Sequence, residues 1–312
     1  MLIHRVYYEL KPFIPRTLQI IVRRRMVLQK MKRSTNIWPI NEEAKKRPGN
    51  WEGWPDGKRF AYVLMHDVDT GKGYDKCYEL MDLEESRGFR SSFNLVPERY
   101  NISADLRQDL VRRGFEVAVH GLKHDGKLFL SKKGFRRQAI RINEYLKEWQ
   151  CNGFVSPSMI CRLDWIHELA IDYDTSTFDT DPFEPQPHGA NTIFPFWVEN
   201  CTSKGFVELP YTLPQDFTLF VLMKERNIDI WKKKLDWIVE KGGMALLITH
   251  PDYMNCKKGS CNIEEYPMDF YEKFLNYVKG KYEDQYWHVL PSEMARFWKG
   301  KMVIPQLPES TK

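Results

Sequence analysis

Residues 60–70, FAYVLMHDVDT, consist of six apolar residues followed directly by His-Asp-Val-Asp-Thr. A continuous apolar run of this length predicts a strand buried on both faces, as in a parallel sheet. From here to the C-terminus, strand-like segments alternate with amphipathic helical segments about seven or eight times. This alternation predicts an α/β fold with helices outside a parallel sheet. Because no glycine-rich dinucleotide motif is present, the count favours a (β/α)-barrel, distorted and of seven or eight strands, over a doubly wound sheet.

The charge of the chain is unevenly distributed. The 312 residues carry a net charge of +5, but residues 1–48 hold twelve Lys or Arg against three Glu, so the remainder is mildly acidic. The 42% hydrophobic and 29% charged content excludes intrinsic disorder. We therefore expect a basic N-terminal helical arm with a Trp/Pro-rich linker in residues 1–58, and a catalytic barrel in residues 59–312.

Within the arm, residues 16–33 read as one helix in which Arg23, Arg24 and Arg25 lie beside apolar residues. One interpretation is a helix docked on the barrel with its arginines in solvent. The other is peripheral contact with an anionic membrane. No nucleic-acid motif accompanies the charge, so we expect no nucleic-acid partner.

Targeting and cysteine signals are sparse. No apolar run approaches the ~18 residues of a membrane span, and the N-terminus lacks the pattern of a secretory signal. These features predict a cytoplasmic protein, with the arm at the inner face of the membrane if it binds lipid. Six scattered cysteines predict free thiols, and a loop disulfide between Cys256 and Cys261 is the alternative.

The carboxyl ends of barrel strands carry the active site in this class of fold. His120 and His124 directly follow an apolar strand, and a spacing of four brings both imidazoles to one side of a turn. A carboxylate from Asp69 or Asp67 would complete a set of two histidines and one carboxylate, which is typical of a catalytic metal site. The alternative is that the histidines cap the ends of loops.

Asp67 and Asp69 stand two residues apart on an extended end, so their side chains point the same way. One carboxylate could bind a metal while the other holds a water. Two alternatives are an N-cap formed by Asp69 or Thr70, and the Asp-x-Asp pair of metal-dependent glycosyltransferases, which leaves the histidines unexplained. His250 ends another apolar strand, and its reference pKa of about 6.5 suits a general acid.

Together these residues resemble the polysaccharide deacetylase family, the NodB-homology enzymes of carbohydrate esterase family 4, over residues 60–255. Asp67 and Asp69 match the family's first motif, His120 and His124 its His-x-x-x-His motif, and His250 its late Leu-x-His motif. The segment 173–189 looks like a branch outside the well-studied chitin and peptidoglycan enzymes. One departure concerns the third motif, where the family has an Arg that orients the catalytic Asp. This chain has Val155 there, and Arg90 and Arg162 are the candidate replacements.

The resemblance implies a metal-dependent hydrolase that removes an acetyl group from an N-acetylated sugar of a glycan or glycan precursor. It implies a divalent ion, with zinc expected, held by Asp69, His120 and His124. Asp67 would be the general base and His250 the acid that protonates the leaving amine.

Expected substrate contacts come from neighbouring strand ends. They comprise Pro157, Ser158 with its backbone N–H at the oxyanion, Asp174 and Tyr211. Phe183, Trp197 and Tyr211 could line a sugar ring or simply pack in the core. Because Val155 replaces the motif Arg, a glycan-binding relative with weakened turnover remains the alternative function.

Overall fold

The computed structural model describes residues 14–49, 51–199, 205–257 and 261–301. Within these ranges the strands are β1 (Phe60–Val68), β2 (Ser92–Leu95), β3 (Glu116–His120), β4 (Gly153–Val155), β5 (Tyr173–Asp174), β6 (Phe196–Glu199), β7 (Gly205–Glu208), β8 (Met244–Thr249), β9 (Met254–Asn255), β10 (Tyr266–Pro267) and β11 (Tyr286–His288). The α-helices are Arg16–Met31, Gly71–Tyr74, Cys77–Glu85, Ala104–Arg112, Lys132–Trp149, Leu163–Ile166, Asp229–Lys241, Asp269–Tyr282 and Pro291–Lys301.

Nine of these strands form one sheet in the order β11-β1-β2-β3-β4-β5-β7-β6, and β8 pairs with the other side of β1. Every pairing is parallel except that of β6 with β7. A parallel bridge between Leu213 and Leu247 links the segment after β7 back to β8, which curls the sheet into a distorted barrel. Eight parallel strands surrounded by helices confirm the predicted (β/α)-barrel.

The centre of the barrel is made by β1 and β8. All nine residues of β1 and all six of β8 are buried, as the apolar runs predict. The helix Lys132–Trp149 shows how the outer layer is specified. It begins where Ser131 caps the amide of Gly134 and ends at Gln150 in the left-handed conformation. Its buried face consists of the predicted residues Phe135, Ala139, Ile142 and Leu146.

The linker before the barrel belongs to the same hydrophobic core. Trp38 and Trp54 are 7% and 5% exposed, and Trp54 Nε1 donates to the carbonyl of Gly242 at 2.9 Å. Val27 and Ala44 are buried in the same cluster. The tryptophans therefore fix the linker against the barrel, and residues 14–58 do not form a core of their own.

Two elements were not among the sequence predictions. The segment Phe217–Met223 forms a buried π-helix, and its largely apolar sequence does not distinguish this from a strand. The antiparallel strand β6 also lacks a clear alternating pattern.

Two findings concern membrane spans and thiols. None of the described helices is both long and apolar enough to cross a membrane. Five cysteines, including Cys256 and Cys261, carry free thiols, and Cys201 lies outside the described residues.

Candidate metal centre and active site

Strand register brings the predicted residues to one edge of the barrel. Asp67 on β1 pairs with Asn94 on β2, and His120 on β3 pairs with Val155 on β4. All four residues lie at or beside the carboxyl ends of adjacent parallel strands. In-register residues on neighbouring strands point to the same face of a sheet, so their side chains meet there.

Asp69, His120 and His124 form a compact group of three metal-binding side chains. Their candidate ligand atoms all lie within 4.8 Å of one another. Asp69 Oδ1 is 3.4 Å from His120 Nε2 and 3.1 Å from His124 Nε2. The predicted triad is thus assembled, with Asp69 rather than Asp67 at its centre.

The chemistry of this group fits a divalent ion. His120 Nδ1 lies 3.1 Å from the carbonyl of Val155, which fixes the ring and leaves Nε2 directed at Asp69. Asp69 Oδ1 is buried and accepts no well-aligned hydrogen bond from the described residues, although both imidazoles lie within 3.4 Å, so it is available as a ligand atom. Burial opposes ionisation of Asp69, but the charge of His124 and the contacts of both imidazoles hold the pKa of that carboxyl well below its usual range. An anionic carboxylate beside two imidazoles is a donor set that zinc accepts.

Asp252 anchors the first motif from the end of the barrel. Its carboxylate accepts the backbone N–H of Asp69 at 2.9 Å and the hydroxyl of Thr70. A Cβ on Gly73 would lie 2.2 Å from Asp252 Oδ2, so only glycine allows this approach. Sequence reasoning missed Asp252, although it stands two residues after His250.

The loop that presents the histidines is backbone-strained. Gly121 has φ +63°, and a Cβ there would lie 2.4 Å from Pro157 Cγ. His124 has φ 52°, an uncommon conformation for a residue with a side chain. Such conformations persist where the surrounding structure holds them, and here the strained loop turns both imidazoles toward Asp69.

Asp67 is held by Asn94 and not by an arginine. Asn94 Nδ2 donates to Asp67 Oδ1 at 2.6 Å, and both residues are buried. Asp67 Oδ2 lies 3.8 Å from His120 Nε2, facing the triad. Val155 is fully buried, and its aliphatic side chain cannot replace the charge of an arginine.

Neither candidate arginine contacts Asp67, which corrects that expectation. Arg90 donates to the carbonyls of Phe89 and Arg113, before the start of β2. Arg162 pairs with Asp164 at the surface. Both arginines are thus engaged elsewhere in the fold. The informative signal was the polar residue Asn94 on β2, which is buried throughout.

His250 is oriented by a buried carboxylate that the sequence analysis also missed. His250 Nδ1 lies 2.7 Å from Asp216 Oδ1, and its backbone N–H donates to Asp216 Oδ2 at 2.8 Å. Tyr266 donates a further hydrogen bond to Asp216. Burial alone would lower the pKa of His250, but Asp216 outweighs it and raises that pKa to about 10. His250 therefore stays protonated near neutral pH, with Nε2 free of Asp216.

The structure separates the four predicted substrate contacts. Pro157 lies beside His124 in a narrow groove, and Ser158 adjoins it with a φ of 57°. Asp174 is fully buried, where Ser176 donates to it at 2.6 Å. Tyr211 is 1% exposed, and its hydroxyl lies 2.9 Å from Asp181 Oδ2 and 3.0 Å from Glu184 Oε1, on two buried carboxyl groups.

The predicted aromatic wall does not form as one surface. Phe183 packs edge-on against Trp38, with ring centroids 5.1 Å apart. Trp197 lies on the edge strand β6, where the ammonium of Lys299 is 6.0 Å from its ring centroid. These rings, like that of Tyr211, therefore serve packing in this structure.

The N-terminal helix Arg16–Met31 crosses the carboxyl edge of the barrel beside the π-helix. Arg16 donates to Tyr253 at 3.4 Å, and Arg24 donates to the carbonyls of Val221 and Ile263. Ile20 and Val27 are buried beneath it. The docked interpretation is thus found, but Arg16 and Arg24 turn toward the barrel instead of solvent. The outward face exposes apolar side chains: Leu18, Ile21, Val22, Met26 and Leu28.

Sequence comparisons and structure comparisons give different results. No protein-family model matches the sequence, and no curated protein sequence is significantly similar to it. Solved structures do match. A Mycobacterium smegmatis protein assigned as a polysaccharide deacetylase superposes with a TM-score of 0.62 at 16% identity, covering 85% of this chain and 99% of that chain.

Two further structures match almost as well. The allantoinase PuuE superposes with a TM-score of 0.61, and a Pseudomonas aeruginosa PAO1 protein assigned as a polysaccharide deacetylase with 0.59. Each is 16% identical, and each match covers 80% of this chain and 93% of the other. The chain therefore has the NodB-type barrel fold of the polysaccharide deacetylases.

Proposed function

We propose that this chain is a metal-dependent hydrolase that removes the acetyl group from an N-acetylated sugar of a glycan or glycan precursor. The observation that carries the proposal is the convergence of Asp67, Asp69, His120 and His124 at one edge of the barrel, with His250 directly after the neighbouring β8. Asp69, His120 and His124 are the candidates to hold an ion. Asp67 is the candidate proton acceptor, and His250 is the candidate proton donor.

Each residue has a distinct part in this reaction. Asp69, His120 and His124 would hold the ion, which when bound supplies Lewis-acid polarisation of the amide carbonyl and activation of water. Asp67 accepts the proton of the attacking water at the carboxylate that faces His120. His250 donates its Nε2 proton to the leaving nitrogen, and Asp216 keeps that imidazole charged beforehand. The products are acetate and a free amino sugar.

The substrate class rests on the names of two structural neighbours and on the amide chemistry of the site. Because PuuE is an allantoinase by name, the fold alone does not select a sugar. N-acetylated sugars are therefore the first substrates to screen, and their acetate release is the assay.

A second candidate function follows from Val155. A relative that binds glycans but turns them over slowly would also keep the triad. The discriminating variant is Val155→Arg, since a large gain in rate would indicate a decayed catalytic site. An unchanged or lower rate would favour Asn94 as the working substitute for the family arginine.

The experiment that tests the main proposal compares wild type with the double variant His120→Ala/His124→Ala. About one zinc or similar ion per chain is expected in wild type, together with acetate release that a chelator abolishes. The double variant should lose both. Glu43→Gln is the control, because this exposed side chain makes no hydrogen bond or ion pair with the described residues. Chelator-resistant activity, or equal metal content in the double variant, would refute the metal mechanism.

The outward face of the N-terminal helix supports a proposal on location. Its exposed apolar residues are flanked by exposed Arg25, Lys32 and Arg33, a combination that suits an anionic lipid surface. Val22→Gln/Met26→Gln should weaken sedimentation with phosphatidylserine vesicles, because both side chains are exposed and the docked face is untouched. Binding that is equal to wild type would exclude this membrane contact.

A further inference from the structure

The docked face of the N-terminal helix carries three arginines, and two of them are hydrogen-bonded to the barrel. Arg16 donates to Glu264 and Tyr253, and Arg24 donates to two backbone carbonyls. These bonds fix the helix across the carboxyl edge of the barrel. Arg23 lies between them on the same face and is half-buried.

Arg23 has no hydrogen-bond acceptor among the described residues. Its contact is with Phe217, whose ring centroid lies 4.8 Å from the guanidinium carbon. A guanidinium carries five N–H donors in a planar fork, and stacking on an aromatic ring leaves all five available. The contact with Phe217 thus orients the guanidinium group of Arg23 while its N–H donors remain unused.

The position of Arg23 places these donors next to the candidate active site. Phe217 packs against Tyr253 with ring centroids 4.6 Å apart and ring planes tilted by 36°, and the ring centroid of Tyr253 lies 5.4 Å from that of His250. Two aromatic rings therefore connect Arg23 to the proposed acid. The docked arm also places Arg16 close enough to Asp69 to sense the charge of that carboxylate.

Glu184, whose pKa Arg23 influences, does not neutralise Arg23. Glu184 is buried, and burial together with the charge of Asp181 raises its pKa to about 8, although Arg23 and His250 pull that pKa down. Glu184 is thus mostly uncharged at neutral pH. Arg23 therefore remains positively charged and unpaired beside the candidate active site. An arginine with a purely structural role in an ion pair would be neutralised by its partner.

We propose that Arg23 binds a carboxylate or phosphate group of the substrate, so that this enzyme acts on an acidic N-acylated sugar. Planar guanidinium groups recognise both oxyanions through paired hydrogen bonds. The sugar class rests on the proposed function, whereas the anion site rests only on the geometry of Arg23.

Calorimetry on the full chain tests this with three probes. N-acetylglucosamine is neutral, N-acetylglucosamine 6-phosphate carries a phosphate, and N-acetylmuramic acid carries a carboxylate. At least one acidic sugar should bind roughly tenfold tighter or more than the neutral one, as expected of charge-assisted hydrogen bonds. Equal affinity for all three in wild type would overturn the proposal without recourse to any variant.

Matched variants assign the preference to Arg23. Arg23→Gln should abolish it, whereas Arg25→Gln, a change at an exposed arginine of the same helix, should keep it. His120→Ala/His124→Ala should also keep it, which excludes an anion bound to a metal ion. Preference retained in Arg23→Gln, or lost in either control, would overturn the assignment.

The two proposals can fail separately. Binding is measured without turnover, so an Arg23-dependent preference without any acetate release would refute only the deacetylase function. Acetate release from neutral sugars with no acidic preference would refute only the anion site.

Discussion

Asn94 donates a 2.6 Å hydrogen bond to Asp67 from the neighbouring strand. The two residues are in register on β2 and β1, so the contact is set by strand pairing. A neutral amide orients the carboxylate without adding charge. The proposed general base is therefore positioned by the sheet itself.

Asn94→Ala should lower kcat by roughly tenfold to hundredfold with little change in KM, because Asp67 loses the group that orients it. Asn94→Asp preserves shape but cannot donate when ionised, so we expect it to be no better. Metal content should stay at the wild-type level, which separates positioning from collapse of the site. Asn101→Ala, at an exposed position, is the control. A rise in KM alone would contradict this role.

Asp216→Asn should move the alkaline limb of the kcat/KM profile to lower pH. Asp216 raises the pKa of His250 to about 10, so without that charge the imidazole loses its proton at a lower pH. The measurement is the pH profile of acetate release. Tyr266→Phe removes one hydrogen bond to Asp216 but keeps its charge, and should leave the limb in place. Equal shifts in both variants would argue against a charge effect.

Gly121→Ala should destabilise the protein by about 2–3 kcal/mol and weaken metal binding. The added methyl group meets Pro157 and the backbone has positive φ, so both overpacking and strain contribute. Gly280→Ala is the matched change, with open space and a helical position. It should stabilise by about 0.5–1 kcal/mol. Denaturant unfolding compares the two, and similar effects would contradict the steric argument.

Glu208→Gln should flatten the dependence of stability on pH. Glu208 and Asp174 are both fully buried, and burial followed by their mutual interaction raises the pKa of Glu208, while burial raises that of Asp174 to about 6. The folded state then holds more protons than the unfolded state, in which carboxyl pKa values are about 4. Stability is therefore greatest below pH 4 as far as this pair is concerned, and falls as pH rises through 6.

The expected gain of Glu208→Gln at pH 8 is on the order of 2 kcal/mol, because one pKa unit corresponds to about 1.4 kcal/mol. Thermal or urea unfolding from pH 4 to 8 measures it. Exposed Glu43→Gln should reproduce the wild-type curve. A parallel curve for Glu208→Gln would show that the pair does not titrate in this range.

The barrel and the metal triad were predictable because their signals are local. Each apolar run ends at a polar motif within a few residues, as in Asp67 to Asp69 and His120 to His124. The partners of those motifs could not be predicted, because they are distant in sequence. Asn94 lies 27 positions from Asp67, Asp216 lies 34 positions from His250, and Asp252 lies 183 positions from Asp69. Only the fold brings such pairs together.

The N-terminal arm shows a second limit of prediction from sequence, which concerns the face of a helix that packs inward. Helical periodicity separates an arginine-rich face from an apolar face, but it does not say which one turns inward. The barrel surface offers backbone carbonyls of Val221 and Ile263 and the aromatic ring of Phe217, all of which suit guanidinium groups. These acceptors come from distant segments, so the inward arginines could not be derived from residues 16–33 alone.

The bond from the Asp69 amide to Asp252 spans 183 positions and joins the first barrel strand to the segment after β8. The triad exists only when these distant parts have met, so an unfolded chain presents no comparable site. Any ion that the triad binds therefore binds only the folded state, and by mass action it stabilises the whole barrel against unfolding. At a free concentration one hundred times its Kd, such an ion adds about 2.7 kcal/mol to the free energy of unfolding. Measuring the rise in melting temperature as zinc is added would thus report metal binding to the site without a known substrate.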